Sequence, residues 1–180
     1  MFTQAITEIV RRLDDAKARH LLDQYALIGG FAVSAWGVPR ATHDVDFAIA
    51  LGSSDAAALA QFLHAEFQPG DQNDPLCGVF RTHVTVNDLA VPIQLIVLPP
   101  VWNSILFQDL TSLPISGCAV EVVSWQALIL LKLYAAGPQA LNDARQIMAV
   151  RHPTEAERQA LGTLAGKVEL SAEWQALVGG

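Results

Sequence analysis

The sequence predicts an α/β fold in which helices cover a small mixed β-sheet and the C-terminal portion is helical. Up to about residue 123, apolar runs of strand length alternate with segments of helical periodicity. After residue 123 the sequence shows helical periodicity only. Of the 180 residues, 52% are hydrophobic and 16% are charged, which provides for a sizeable core. We therefore expect an α/β core over residues 1–123 and a helical portion over residues 124–180, packed as one unit.

Periodicity and turn residues define the elements of the first part. In order, these are a helix over Phe2–Asp23, a strand over Tyr25–Ile28, a short helix over Phe31–Trp36, a strand from Asp44 to Ala50, a helix over Asp55–Phe67, a loop over Pro69–Pro75, and strands over Cys77–Asn87 and Val91–Leu98. Ser53 or Ser54 is expected to cap the third of these helices. The last two strands alternate and meet at Asn87-Asp88, which predicts a hairpin.

Helix signals dominate the chain after residue 100. The predicted elements are a short helix over Val101–Asp109, one or two short strands around Gly117, and helices over Trp125–Ala136, Ala140–Val150, Thr154–Ala165 and Ala172–Val178. Ser124 is a good N-cap for the helix over Trp125–Ala136, and Gly137-Pro138 ends that helix. Thr154 and Glu157 have the spacing of a capping box.

Charge and composition exclude several classes of protein. The net charge is −7 and no Lys/Arg cluster exists beyond Arg11-Arg12, which weighs against broad non-specific binding of nucleic acid. No run of about 18 uncharged apolar residues exists, so no membrane span is expected. Cys77 and Cys118 lack metal-ligand spacing, which predicts buried thiols in a reducing cytosol and a cytoplasmic protein.

Two glycines and two aspartates carry the chemical signal. Gly29-Gly30 stand between a strand and a helix, where they allow close approach of a ligand and where a helix N-terminus favours phosphate. Asp44 and Asp46 share one face of a strand, because side chains alternate along it. Two adjacent carboxylates repel each other unless a cation lies between them, and oxygen ligands suit Mg²⁺ or Mn²⁺. Either motif alone also fits an ordinary turn or a solvated strand face.

These residues resemble a known signature. Gly-Gly-x-Ala followed by Arg40-x-Thr42-x-Asp44-x-Asp46 resembles the nucleotidyltransferase superfamily that includes DNA polymerase beta. Within it, the chain is most similar to the abortive-infection and toxin-type branch. A second block supports this likeness: Val122–Leu128 through Lys132, and Asn142–Arg145, are similar to helices of that branch. The resemblance covers about residues 20–150.

The resemblance implies transfer of a nucleoside monophosphate from a nucleoside triphosphate to an acceptor. Asp44 and Asp46 would then hold the metal. The triphosphate would contact Gly29, Gly30, Arg40, Thr42 and Lys132. The acceptor stays open between RNA, a protein hydroxyl and a small molecule, and a homo-oligomer or an antitoxin-like protein partner is a further expectation.

Gln94 departs from the family pattern. It stands in the apolar strand VPIQLIV, where the resembled family carries a third carboxylate that helps hold the metal and takes a proton. An amide supplies neither a charge nor a base, and losing a catalytic base costs about 10²–10⁴-fold. The alternative function is therefore a catalytically degenerate module that binds a nucleotide or a partner. A structural or toxin–antitoxin partner protein that binds no nucleotide is a third possibility.

Three charged residues have competing interpretations. Arg40 either steadies a triphosphate, pairs with Asp46, or is a surface arginine paired with another carboxylate. Lys132 either reaches the nucleotide phosphates or extends its ammonium into water. Asp143 is expected to pair with Lys132 or Arg145.

Overall fold

The computed structural model describes residues 1–71, 75–115 and 117–179. Its helices are α1 (Phe2–Ala18), α2 (Gly29–Ala35), α3 (Ala56–Leu63), α4 (Asn103–Leu106), α5 (Trp125–Ala135), α6 (Pro138–Arg151), α7 (Glu155–Lys167) and α8 (Ser171–Gly179). Its strands are β1 (Gln24–Leu27), β2 (Val45–Ala50), β3 (Glu66–Pro69), β4 (Gly78–Val86), β5 (Leu89–Val97), β6 (Thr111–Ile115) and β7 (Cys118–Val122). The predicted α/β class is confirmed.

The strands form one mixed sheet with the order β3-β4-β5-β2-β1-β7-β6. The pairs β2–β5 and β1–β7 are parallel, and the other neighbouring strands are antiparallel. Helix α1 packs on β4, β6, β7 and α3, while α2 packs on β2 and α5. Residues from both sides of position 123 belong to one hydrophobic core cluster. In the described part of the chain, no helix is both long and apolar enough to cross a membrane.

Local signals predicted several element ends correctly. Ser124 accepts a hydrogen bond from the Ala127 amide and begins α5, and both halves of the Thr154–Glu157 capping box are formed. The β4–β5 hairpin turns at Asn87-Asp88. Both turn residues have positive φ (50° and 63°), as a two-residue hairpin of the primed type requires.

Other expectations were wrong in their bounds. The first helix ends at Ala18, because His20 adopts a left-handed conformation, and does not extend to Asp23. Asp55, and neither Ser53 nor Ser54, caps α3 by accepting from the Ala57 amide. The predicted end of that helix instead forms β3, which pairs with β4 at the edge of the sheet.

Smaller differences concern the later helices, the loop and the cysteines. The segment predicted as a helix over Val101–Asp109 is a 3-10 turn over Pro100–Trp102 followed by α4. Helix α6 begins at Pro138, two residues earlier than expected. Residues 72–74 of the predicted loop lie outside the described residues. Neither cysteine is buried as predicted, since Cys77 is exposed and Cys118 is half-buried, and both are free.

Candidate functional site

The two aspartates and Gln94 lie together on neighbouring strands. Asp46 in β2 stands opposite Gln94 in β5, and Asp44 immediately precedes β2. Gln94 Nε2 donates a hydrogen bond to Asp44 Oδ2 at 3.2 Å. Thr42 Oγ1 donates to Asp44 Oδ1 at 2.9 Å. Neighbouring polar side chains therefore orient both oxygens of Asp44.

The glycine pair forms the first turn of α2, and it does not precede that helix as the sequence suggested. Gly29 has φ +67°, a left-handed value that favours glycine. A Cβ on Gly29 would lie 2.0 Å from Asp46 Oδ2, and a Cβ on Gly30 would lie 2.7 Å from Thr42 Cβ. The absence of side chains here therefore lets α2 approach the segment that carries both aspartates.

The Asp46 carboxyl is held in an unfavourable environment. Burial is the main cause that raises its pKa from 3.8 to about 6, and the charge of neighbouring Asp44 raises it further. Lys132 and Arg40 act in the opposite direction and lower that pKa, but they do not cancel the rise. A cation placed at the two carboxylates would relieve the repulsion between them.

A buried carboxylate joins the two predicted cationic site residues. Asp143 is 2% exposed, and its Oδ2 lies 2.9 Å from Lys132 Nζ and 2.8 Å from Arg40 Nη1. Its Oδ1 accepts a hydrogen bond from Gln139 Nε2 at 3.0 Å. Of the two partners expected for Asp143, Lys132 or Arg145, the structure pairs it with Lys132.

This arrangement revises two interpretations. Arg40 pairs with Asp143, and not with Asp46 as one alternative held. The Lys132 side chain is 11% exposed and ion-paired, so it does not extend its ammonium into bulk water. The joint pairing with Arg40 was missed, because 103 residues separate Arg40 from Asp143 in the chain.

Two cavities adjoin these residues. The first, of about 390 Å³, is lined by Gly29, Asp44, Asp46, Gln94 and Lys132 together with apolar residues of β5 and α5. The second, of about 480 Å³, is lined by Arg40, Ala41, Thr42, His43, Asp44, Pro92 and Gln94. Asp44 and Gln94 border both cavities. Of the other predicted site residues, Arg40 and Thr42 border the second cavity, Gly29, Asp46 and Lys132 border the first, and the buried Gly30 borders neither.

The donor set fits a divalent cation held by two carboxylates. Asp44 and Asp46 provide hard oxygen ligands, and Mg²⁺ commonly binds through one or two carboxylates plus substrate phosphates and water. The described residues contain no group of three or more His, Cys, Asp or Glu side chains that could hold a metal by themselves. Water and substrate phosphates would supply the other ligands of a cation held by Asp44 and Asp46.

Solved structures with a similar fold are nucleotidyltransferase-like proteins. An antigenic nucleotidyltransferase-like protein from Paracoccidioides brasiliensis is 20% identical, with a TM-score of 0.56 over 96% of this chain and 93% of that one. The antibiotic-resistance factor ANT(2″)-Ia in complex with adenylyl-2″-tobramycin is 16% identical, with a TM-score of 0.54 over 91% and 96% of the two chains. Its solution structure gives 18% identity and a TM-score of 0.50 over 99% and 95%.

No protein-family model and no curated protein matches the sequence. The structural similarities show the fold, which is nucleotidyltransferase-like over nearly the whole chain.

Proposed function

We propose that this protein is a nucleotidyltransferase that transfers a nucleoside monophosphate from a nucleoside triphosphate to an acceptor hydroxyl. The observation that carries the proposal is the convergence of Asp44, Asp46 and Gly29 on one cavity that Lys132 also lines. The fold of the similar solved structures supports it. Membership of the toxin-type branch is proposed from the residue patterns alone.

In this proposal, Asp44 and Asp46 hold Mg²⁺ or Mn²⁺, which neutralises phosphate charge and orients the triphosphate when bound. Gly29, which lines the first cavity, admits phosphate oxygens close to its backbone, whereas the buried Gly30 lets α2 pack against Thr42. Lys132 and Arg40 balance the charge that develops on the phosphates, while Asp143 fixes their positions.

The acceptor oxygen forms a bond to the α-phosphorus, and the bond from that phosphorus to pyrophosphate breaks. The acceptor hydroxyl must also lose a proton, and the Gln94 amide is not a base. Among the described residues that border both cavities, Asp44 is the carboxylate. Asp44 is therefore the group proposed to take that proton.

One observation favours a second candidate, a module that binds nucleotide without turnover. Gln94 stands opposite Asp46, at the position where the resembled family carries its third carboxylate, and it donates a hydrogen bond to Asp44. This donor competes for an oxygen that a metal would use.

Calorimetric titration of each nucleoside triphosphate, with and without Mg²⁺, tests both candidates. We expect binding that requires Mg²⁺ and is lost in the Asp44→Asn/Asp46→Asn double variant. Pyrophosphate release in the presence of an acceptor would then separate the transferase from the non-catalytic module. Absence of binding by every nucleotide would contradict both.

A further inference from the structure

The second cavity is placed to receive an acceptor, an inference that rests on the proposed function. Group transfer requires two substrates to meet with their reacting atoms in contact. The two cavities meet at Asp44 and Gln94. Since Gly29, Asp46 and Lys132 line the first cavity, the nucleotide is assigned there, and the second cavity is left for the acceptor.

The strand register places two residues of β4 beside the floor of the second cavity, whose own lining includes no residue of that strand. Gln94 stands opposite Arg81, and Pro92, which lines the cavity, stands opposite His83. Directly opposite residues of antiparallel strands project from the same face of a sheet. Arg81 and His83 are both exposed on that face. Strands are about 4.8 Å apart, so these backbone positions lie about 10 Å from the Asp46 strand.

Two arginines stand at or beside this cavity, Arg40 in its lining and Arg81 on β4, and Arg40 is already paired with Asp143. Arg40 and His43 line the cavity, and Asp44 is the one carboxylate among its described lining residues. Asp44 already accepts hydrogen bonds from Thr42 and Gln94, and its remaining capacity is assigned to the cation and to the acceptor hydroxyl. A polycationic acceptor would therefore find no free carboxylate in this cavity.

The Arg81 guanidinium is available to a ligand. Its Nη1 donates to Gln68 Oε1 at 2.6 Å, and within the described residues it forms no ion pair. Glu66 is the residue opposite Arg81 on β3, and it is exposed. Four of the five guanidinium N–H donors thus remain for an oxyanion.

We propose that the second cavity binds a phosphate-bearing alcohol as acceptor, with its hydroxyl at Asp44 and its phosphate at Arg81 and His83. Arginine suits this role because its planar guanidinium contacts phosphate oxygens in pairs. The phosphate ester has two sources, a small sugar phosphate or the 3′ end of an RNA strand. In either case the acceptor oxygen gains the nucleotidyl group, pyrophosphate leaves and Asp44 takes the hydroxyl proton.

Calorimetry of the full chain tests the proposal with two phosphate probes, ribose 5-phosphate and a 5′-phosphorylated uridine dinucleotide. Each probe is titrated with and without Mg²⁺ and a non-hydrolysable nucleoside triphosphate analogue. We expect Arg81→Gln to weaken binding of the phosphate probe roughly tenfold and to reduce the slope of its salt dependence by about one. The matched control is Arg145→Gln, an equal charge change at an exposed position of α6 outside both cavities. The control should match the wild type.

The two probes distinguish the sources, since tighter binding of the dinucleotide indicates RNA and tighter binding of ribose 5-phosphate indicates a small molecule. Equal affinities in Arg81→Gln and the wild type would overturn the proposal. So would tighter binding of tobramycin or glycerol than of both phosphate probes, or failure of both probes to bind. If no nucleotide binds but Arg81→Gln still weakens binding of the phosphate probes, the proposed function is contradicted and the phosphate site is supported.

Discussion

Replacing Asp46 with asparagine should stabilise the metal-free protein while abolishing the proposed metal site. The Asp46 carboxyl has its pKa raised from 3.8 to about 6 by burial and by Asp44. Between these values the folded protein keeps a proton that the unfolded chain releases. Stability therefore falls as pH rises through this window, and the full penalty is present above about pH 6.

The size of the effect follows from the pKa rise. One pKa unit corresponds to about 1.4 kcal/mol, so the charged Asp46 lowers the free energy of unfolding by about 3 kcal/mol at pH 7.5. At pH 4.0 the penalty is below about 1 kcal/mol, because the folded carboxyl is protonated there. The amide that replaces the carboxyl in Asp46→Asn is uncharged at both pH values. The variant should therefore gain about 2–3 kcal/mol at pH 7.5 and little at pH 4.0.

Urea unfolding followed by tryptophan fluorescence measures this difference, with EDTA present to remove metal. Asp109→Asn is the matched control, since Asp109 is exposed and lies outside both cavities. It should change stability by no more than about 0.5 kcal/mol. Adding millimolar Mg²⁺ with a nucleoside triphosphate should stabilise the wild type and leave Asp46→Asn unchanged. An equal gain at both pH values, or no gain at pH 7.5, would refute the reasoning.

Three further outcomes rest on contacts of the same site. Asp143→Asn leaves two cations without their shared anion, so urea unfolding should show a loss of about 2–4 kcal/mol. Gly29→Ala forces a Cβ onto Asp46 and should abolish Mg²⁺-dependent nucleotide binding in calorimetry. The control Gly117→Ala also lies at positive φ, but its added Cβ has no neighbour among the described residues within 4 Å, so this variant should bind the nucleotide normally. Gln94→Glu adds a third carboxylate that can take the hydroxyl proton in place of Asp44, so it should raise pyrophosphate release about 10²-fold.

The sequence predicted those features that are encoded within a few residues. The cap at Ser124 and the capping box at Thr154 depend on side chains three residues from the amides they satisfy. The Asp44–Asp46 spacing predicted that the two carboxylates lie together, and both line the first cavity, although β2 begins at Val45 and not at Asp44. Such local rules also predicted the class of the fold.

The features that could not be predicted depend on contacts distant in sequence. Strand β3 has four residues at the edge of the sheet, none of them fully buried, so it shows no alternating pattern. Its formation depends on pairing with β4. The contact between Arg40 and Asp143 results from α6 packing on α5 beside the loop that precedes β2. No spacing rule relates those two residues.

The charges of the proposed site would make its attraction for a triphosphate depend on a bound metal. Asp44, Asp46 and Asp143 together carry three negative charges, and Lys132 and Arg40 carry two positive ones. The ionised site thus has a net charge of −1, which opposes a triphosphate. A divalent cation at the two aspartates makes it +1, which attracts one. Asp143 holds Lys132 and Arg40 beside the cavities, and its single negative charge leaves one of their two positive charges uncompensated. The net charge of the site would therefore change from negative to positive only when the divalent cation binds.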